Sequence, residues 1–385
     1  MRVCMFGTYE AGYDRNQVLL QGMREAGIDI IECHVPLWET MRYKTSAFKG
    51  PAQYLVVAAK LALAHAQLFV RYLLAPPHDV VLVGYLGHFD VFPARLWSRL
   101  RRKPLVFDAF VSLYDTSVED REVFRRGSLS ATLMRLIDRW SCKVSDLVLL
   151  DTNQHIEYFC EAFDLDPSKF QRVLVGADPA YMAGDVVAPP GDRFVVLHYS
   201  KFAPLHGMPY ILDAANQLRD DPDIVFKIVG GGQTFAASKA YAERLGLGNL
   251  ELIPWLEPEQ LRQAMREAQV CLGIFGDTPK ARRVVPNKVY QCLAAGAAVI
   301  TGRSPASEEL LVDREHALLC EMASGEAIAA SILELKRSPA LRQRLGENGA
   351  RLFREQFTPR ILVETELLPR LQELVTRFDS EQRCD

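Results

Sequence analysis

The feature that most constrains this chain is an alternation, repeated in both halves, of short apolar runs with longer segments of helical period. In the first half, residues 3–6, 28–34, 80–83, 105–107, 147–150 and 172–175 read as strands. Segments such as 16–26 and 130–144 read as the helices between them. The second half repeats the scheme, with strands at 194–198, 225–229, 250–253, 270–274 and 298–301. Its helices are expected at 209–218, 238–245, 258–267 and 288–295. Strand, helix and strand in succession predict parallel α/β structure. The stretch Asp185-Val-Val-Ala-Pro-Pro-Gly-Asp192 is rich in Pro and Gly and lacks a helical period, which suits a linker. The expected organisation is a domain over 1–185, a linker over 186–192 and a second domain over 193–360. A terminal helix over 361–385 has the reach to pack back on the first domain. In open parallel sheets ligands bind beyond the carboxyl ends of the strands, so chemistry is expected in the loops that follow them.

Composition narrows the class. Of 385 residues, 49% are hydrophobic and 24% charged, as in a soluble globular protein. A net charge of -3 gives no general argument for nucleic acid, and none is expected as a partner. The distribution says more: from Arg42 to Lys103 ten Lys or Arg face only Asp79 and Asp90. A local excess of that kind reads as an anion-facing surface. The eight cysteines are scattered, mostly in apolar runs and with no CxxC pair, which reads as buried thiols in a reducing compartment. Met1 leads straight into a strand-like run at 2–6 rather than a secretory signal, so a cytoplasmic location is expected. Residues 52–75 are apolar enough to resemble a membrane span, but Gln53, Lys60, Gln67 and Arg71 fall on one narrow helical stripe. Charges in mid-span are costly, so an amphipathic helix is the better reading. It either packs within the domain or rests on a membrane surface.

Several post-strand loops carry candidate chemistry. The loop Gly7-Thr-Tyr-Glu-Ala-Gly-Tyr-Asp-Arg-Asn16 opens a helix, and Gly12, Arg15 and Asn16 are its candidate ligand-facing residues. Val225-Phe-Lys-Ile-Val-Gly-Gly-Gly232 runs into three glycines, which admit a ligand or serve a tight turn. It is not GxGxxG and has no following acid for a ribose, which disfavours an NAD dehydrogenase. Between Phe275 and Thr301, Pro286 suits a helix start and Asn287 a cap, with Lys280, Arg282, Arg283 and Lys288 around the helix entry. Cations beside free N–H groups make either a diphosphate site or a solvated basic loop. After the strand at 105–107 come Asp108, Ser112 and Asp115, then Asp120 and Arg121. Carboxylates there either orient and deprotonate a hydroxyl or cap helices. His88 and His198, at strand ends, read as structural. No His, Cys and acid cluster has metal-ligand spacing, and there is no GxSxG elbow.

Four of these stretches occur in a telling order: Tyr199-Ser-Lys-Phe-Ala-Pro-Leu-His-Gly207, Ile228-Val-Gly-Gly-Gly232, Pro286-Asn-Lys-Val-Tyr-Gln-Cys-Leu-Ala-Ala-Gly296 and Glu308-Glu-Leu-Leu311. Together the series resembles the C-terminal domain of glycosyltransferase family 4 (group 1), whose fold is GT-B, α/β with two facing Rossmann-like domains of parallel sheets. Asp151-Thr-Asn-Gln-His155 and Val175-Gly-Ala-Asp178 resemble that family's approach to its interdomain linker. The resemblance implies a retaining transferase that moves a hexose-type sugar from a nucleoside-diphosphate donor to an acceptor hydroxyl. It implies no cofactor and no required metal, the nucleotide sugar being a co-substrate. With the loop readings above, the donor-binding candidates are Gly12, Lys201, Gly207, Gly231, Arg282, Arg283, Pro286, Asn287, Lys288 and Gln291. The catalytic candidates are Asp108, Asp277 and His206, with Arg15, Asn16 and Asp115 on the acceptor side. The chain departs from the family's Glu-x7-Glu motif, with Arg283 and Gln291 at the two positions, and from its basic pair, with Ser200 and His206 there. Asp277 is the substitute carboxylate. The basic segment at 42–103 points to a lipid-linked acceptor at an anionic membrane, in polysaccharide or glycolipid synthesis. A nucleotide-sugar 2-epimerase-like isomerase and a non-catalytic nucleotide-sugar scaffold remain open alternatives.

Overall fold

The computed structural model describes residues 1–38, 51–182 and 193–384, so the expected linker and the basic residues Arg42, Lys44 and Lys49 lie outside the described residues. Two compact units are present, one of Met1–Val118, Glu122–Leu174 and Pro359–Asp385, the other of Glu119–Arg121 and Val175–Thr358. The division falls at Leu174/Val175, ahead of the expected residue 185. The reason is local: the turn Pro179–Tyr181 packs on a helix of the second unit, Asn287–Ala294.

The first unit runs β1 (Arg2–Gly7), α1 (Asp14–Glu25), β2 (Asp29–His34), α2 (Pro51–Leu74), β3 (Val80–Val83), α3 (Val91–Leu100), β4 (Leu105–Asp108), α4 (Leu129–Val144), β5 (Leu147–Leu150), α5 (Asn153–Phe163) and β6 (Phe170–Arg172). The last strand begins and ends earlier than the expected 172–175. Its sheet is parallel in the order β2-β1-β3-β4-β5-β6. Both faces are covered, which is why the inner strands β3 and β5 are apolar at every position rather than at alternate ones. Cys4 and Phe6 of β1 face one core with Leu68 and Tyr72 of α2, Trp97 of α3 and Phe159 of α5. Val3 and Met5 face the other, with Leu19 and Met23 of α1.

The second unit runs β7 (Phe194–Ser200), α6 (Met208–Gln217), β8 (Ile224–Gly230), α7 (Phe235–Leu245), β9 (Leu250–Ile253), α8 (Pro258–Glu267), β10 (Val270–Leu272), α9 (Asn287–Ala294), β11 (Val299–Gly302), α10 (Pro305–Glu308), β12 (Leu318–Cys320), α11 (Gly325–Arg337) and α12 (Pro339–Leu352). Its parallel sheet has the order β12-β11-β10-β7-β8-β9. Strand order therefore reverses between β7 and β10, where a crevice opens in sheets of this kind.

The chain ends in α13 (Pro359–Leu362), a π-helical turn at Val363–Leu367 and α14 (Leu368–Cys384), all in the first unit. Val363, Leu367 and Leu371 join Val3 and Leu19 in one core. Glu366 fastens this return: its carboxylate accepts from the Leu174 amide at 2.8 Å and from Arg172 at 3.0 Å.

Candidate functional site

At the β7/β10 switch point the loops after the two strands are pressed together. Gly207 has φ +69°, and a Cβ there would come within 2.5 Å of the Phe275 carbonyl carbon. The amides of Phe275 and Gly276 donate to the carbonyls of His206 and Leu205 at 3.3 and 3.1 Å. Into this junction α9 sends Lys288. Its Nζ lies 3.3 Å from His198 Nε2 and 3.3 Å from His206 Nδ1, with the Gly273 carbonyl at 3.5 Å.

The protonation states follow from the surroundings. His198 Nδ1 lies 3.3 Å from the Leu272 carbonyl, so that nitrogen carries the hydrogen and Nε2 accepts from the lysine. Burial, and then the adjacent Lys288 charge, hold both imidazoles well below the usual histidine range. They are neutral acceptors at physiological pH. Burial also brings Lys288 down to about 7, so its charge is only half-present near neutrality.

The other expected donor residues of this unit lie on the loops after β7, β8 and β10 and on α9. Tyr199 OH donates to Gln291 Oε1 at 2.7 Å, which orients the amide that stands at the second motif position. Asp277 is exposed and accepts from Tyr210 OH at 3.2 Å. Arg282 is exposed, while Arg283 lies 3.6 Å from Glu119. Of the three glycines after β8, Gly230 (φ +123°) and Gly232 (φ +154°) are demanded by the backbone, since a Cβ on either would strike the carbonyls of Ser200 or Lys201. Gly231 faces open space, as does Gly12. Asn287 does not cap α9. Pro286 occupies the N-cap and no side chain caps the helix, which leaves its positive end to other partners.

Sequence named Asp120 and Arg121 only among the carboxylate candidates after β4, not beside the donor loops. Glu119–Arg121 belongs to the second unit, although 175 to 358 supply the rest of it. Gln233 Nε2 donates to the Arg121 carbonyl at 2.7 Å, and Thr278 Oγ1 to Asp120 at 3.4 Å, so the segment touches the loops after both β8 and β10. The Arg121 charge is near enough to help keep His206 neutral. Its Nε is buried without a hydrogen-bond partner. No sequence signal marks this placement.

In the first unit the candidates resolve differently. Arg15 and Asp108 are both fully buried. Arg15 grips the carboxylate through Nε at 3.0 Å and an Nη at 2.9 Å, and its other Nη donates to the carbonyls of Val173 and Leu174 at 2.7 and 2.8 Å. Asp108 is therefore spent on Arg15 and has no access to a substrate hydroxyl, and Arg15 is a clamp rather than an acceptor ligand. Asn16 is likewise structural: Nδ2 donates to the Glu10 carbonyl at 2.8 Å and Oδ1 accepts from the Tyr85 amide at 3.0 Å. Asp115 is buried, its amide donating to Ser112 Oγ at 2.9 Å. Ser112 in turn donates to Asp138, whose carboxyl burial pushes up to about 7. His88 donates to the Val111 carbonyl at 3.0 Å and burial lowers it to about 4, consistent with a structural imidazole.

Comparison with known proteins bears on the fold. Residues 185–352 match the family model described as glycosyl transferases group 1. WcaI of Escherichia coli, named as a glycosyl transferase of colanic acid biosynthesis, is 29% identical over 116 residues, 30% of this chain and 28% of WcaI. The match thus spans less than a third of that relative's length. Among solved structures, Anabaena HepE in complex with UDP superposes with a TM-score of 0.65 at 14% identity, covering 98% of this chain and 99% of HepE. Sucrose-phosphate synthase from Thermosynechococcus elongatus gives 0.70 at 14% identity, covering 98% and 99%. The fold is the two-unit α/β GT-B fold, and residues 185–352 are similar to group 1 glycosyl transferases.

Proposed function

We propose that this chain, which resembles group 1 glycosyl transferases over residues 185–352, transfers a hexose-type sugar from a nucleoside-diphosphate donor to an acceptor hydroxyl with retention. The observation that carries the reading is the Lys288 triad, a buried cation with two neutral histidines at the β7/β10 switch point beside the uncapped start of α9. HepE, similar in fold, binds UDP and UDP-glucose in its solved complexes, which supports a uridine nucleotide as the first donor to try.

In this reading the diphosphate lies against Lys288, the α9 amides, Lys201, Arg282, Arg283 and Arg121. As the C1–O bond to the diphosphate breaks, negative charge grows on phosphate oxygens already facing these cations. The acceptor oxygen attacks C1 on the same face, and its proton passes to the departing phosphate oxygen. Charge is balanced without a metal. Gly231 leaves room for the ligand, Gln291 meets a hydroxyl, and Asp277 is the exposed carboxylate for the sugar. The acceptor is assigned to a lipid-linked glycan at the cytoplasmic face of an anionic membrane, in polysaccharide or glycolipid synthesis.

The test is a thermal-shift screen against UDP, GDP, ADP, TDP, CMP and their sugar conjugates. A ligand at 100 times its dissociation constant stabilises by roughly 2.7 kcal/mol. A shift with one base, lost in Lys288→Met, supports the donor site. No shift with any of them in a folded sample overturns it, and product formed from donor alone would identify an isomerase instead.

A further inference from the structure

Helix α2 is long and apolar enough to cross a membrane by length and composition. Its packing gives it another role. Ala64, Leu68 and Tyr72, one turn apart, are buried in the first unit's core, and Phe69 lies tilted against Trp97 of α3 with ring centroids 5.2 Å apart. The helix is thus one member of a layer with α3 and α4 on the same side of the sheet. What is unusual is the outer side of that layer. Of eighteen exposed large hydrophobic side chains among the described residues, fourteen sit on these three helices. Leu63 is 63% exposed and Leu74 79% on α2, Leu96 61% on α3, and Leu129 91% and Trp140 52% on α4. Monomers seldom leave apolar surface gathered in one place without a partner for it.

Charge identifies the partner. The three helices carry Lys60, Arg71, Arg95, Arg99, Arg135, Arg139 and Lys143; Arg95 and Arg139 are paired with Asp146 and Asp164, the other five stay in excess, and the helices' one acid, Asp138, is buried. A second copy of the same face would set cations against cations. A lipid surface matches both properties, because its acyl chains take the leucines and its anionic headgroups take the cations.

We propose that the outer face of α2, α3 and α4 docks flat on a bilayer containing anionic lipid, with Leu63, Leu96, Leu133 and Trp140 entering the interface. This names the surface behind the lipid-linked-acceptor reading and rests on that reading only for the substrate. Embedding the face would leave α2 in its layer, because Leu68 and Tyr72 stay in the core.

The experiment floats the full chain with vesicles of phosphatidylcholine alone and of phosphatidylcholine with phosphatidylglycerol. Binding is expected to the anionic vesicles, to weaken with salt, and to quench Trp140 when brominated lipid is used. Lys60→Gln and Arg99→Gln should each weaken partitioning about fivefold. The double variant Leu96→Glu/Leu133→Glu should abolish it while melting normally and binding UDP as the parent does. Loss of UDP binding in every form would overturn the donor-site reading and leave this one standing. Absence of flotation at low salt, unchanged flotation of the double variant, or a vesicle-free dimer that the double variant breaks would each overturn the lipid surface.

Discussion

Lys288 Nζ lies 3.3 Å from His206 Nδ1, a lysine donating to a neutral imidazole in a buried site. Burial has brought that lysine to about 7, which couples its charge to pH and to any anion that enters. In the unfolded chain it stays protonated to about 10.4, so from 7 upward the unfolded state binds the extra proton. Lys288 therefore makes stability rise with pH between about 7 and 10, and its full cost is felt below 7.

A diphosphate beside Lys288 would restore its charged form. Binding of UDP at pH 8 is expected to take up close to one proton, seen by calorimetry in two buffers of different ionisation enthalpy. Affinity should fall as pH rises from 7 to 9. Lys288→Met should weaken UDP about ten- to a hundredfold and flatten the profile. A pH-independent affinity in the parent protein would place the diphosphate elsewhere.

Asp108→Asn tests the clamp. Arg15 would keep its charge in a fully buried site with half its partner gone, at a cost of about 3–5 kcal/mol. Chemical denaturation should show the first unit melting early, with UDP affinity intact. Normal stability combined with lost turnover would return Asp108 to the catalytic list.

The glycines after β8 separate backbone need from ligand room. Gly230→Ala places a Cβ 2.0 Å from the Ser200 carbonyl oxygen at φ +123°, and should lower the melting temperature sharply. Gly231→Ala meets nothing within 4 Å and should melt normally while binding donor more weakly. Equal affinity in Gly231→Ala and parent would remove that residue from the site.

On α1, Gly22→Ala opposes propensity with packing. In an exposed helix the change would gain about 1 kcal/mol. Here the new Cβ would sit 2.1 Å from the Pro359 carbonyl oxygen, where α13 rests on α1. A lower denaturant midpoint is expected, because α13 must move away. A higher one would mean that this contact is loose.

Sequence alone determined what is local in this protein. The positions of β1, β3, β5 and β9, the two-sheet plan, and the placing of Lys201, His206 and Arg282 on post-strand loops with Lys288 at the helix entry all follow from periodicity, which neighbours along the chain decide. Only tertiary structure decided which of these side chains is already engaged. Asp108 looks free until Arg15, far away in sequence, grips both its oxygens. Arg121 looks incidental until Gln233 holds its backbone beside the triad. The polar stripe of α2 suggested an ordinary amphipathic helix, yet Leu63, Val70 and Leu73 lie outside the core as well. The reason is physical: helical period sets which residues share a face, whereas burial and charge pairing depend on what that face meets across the fold.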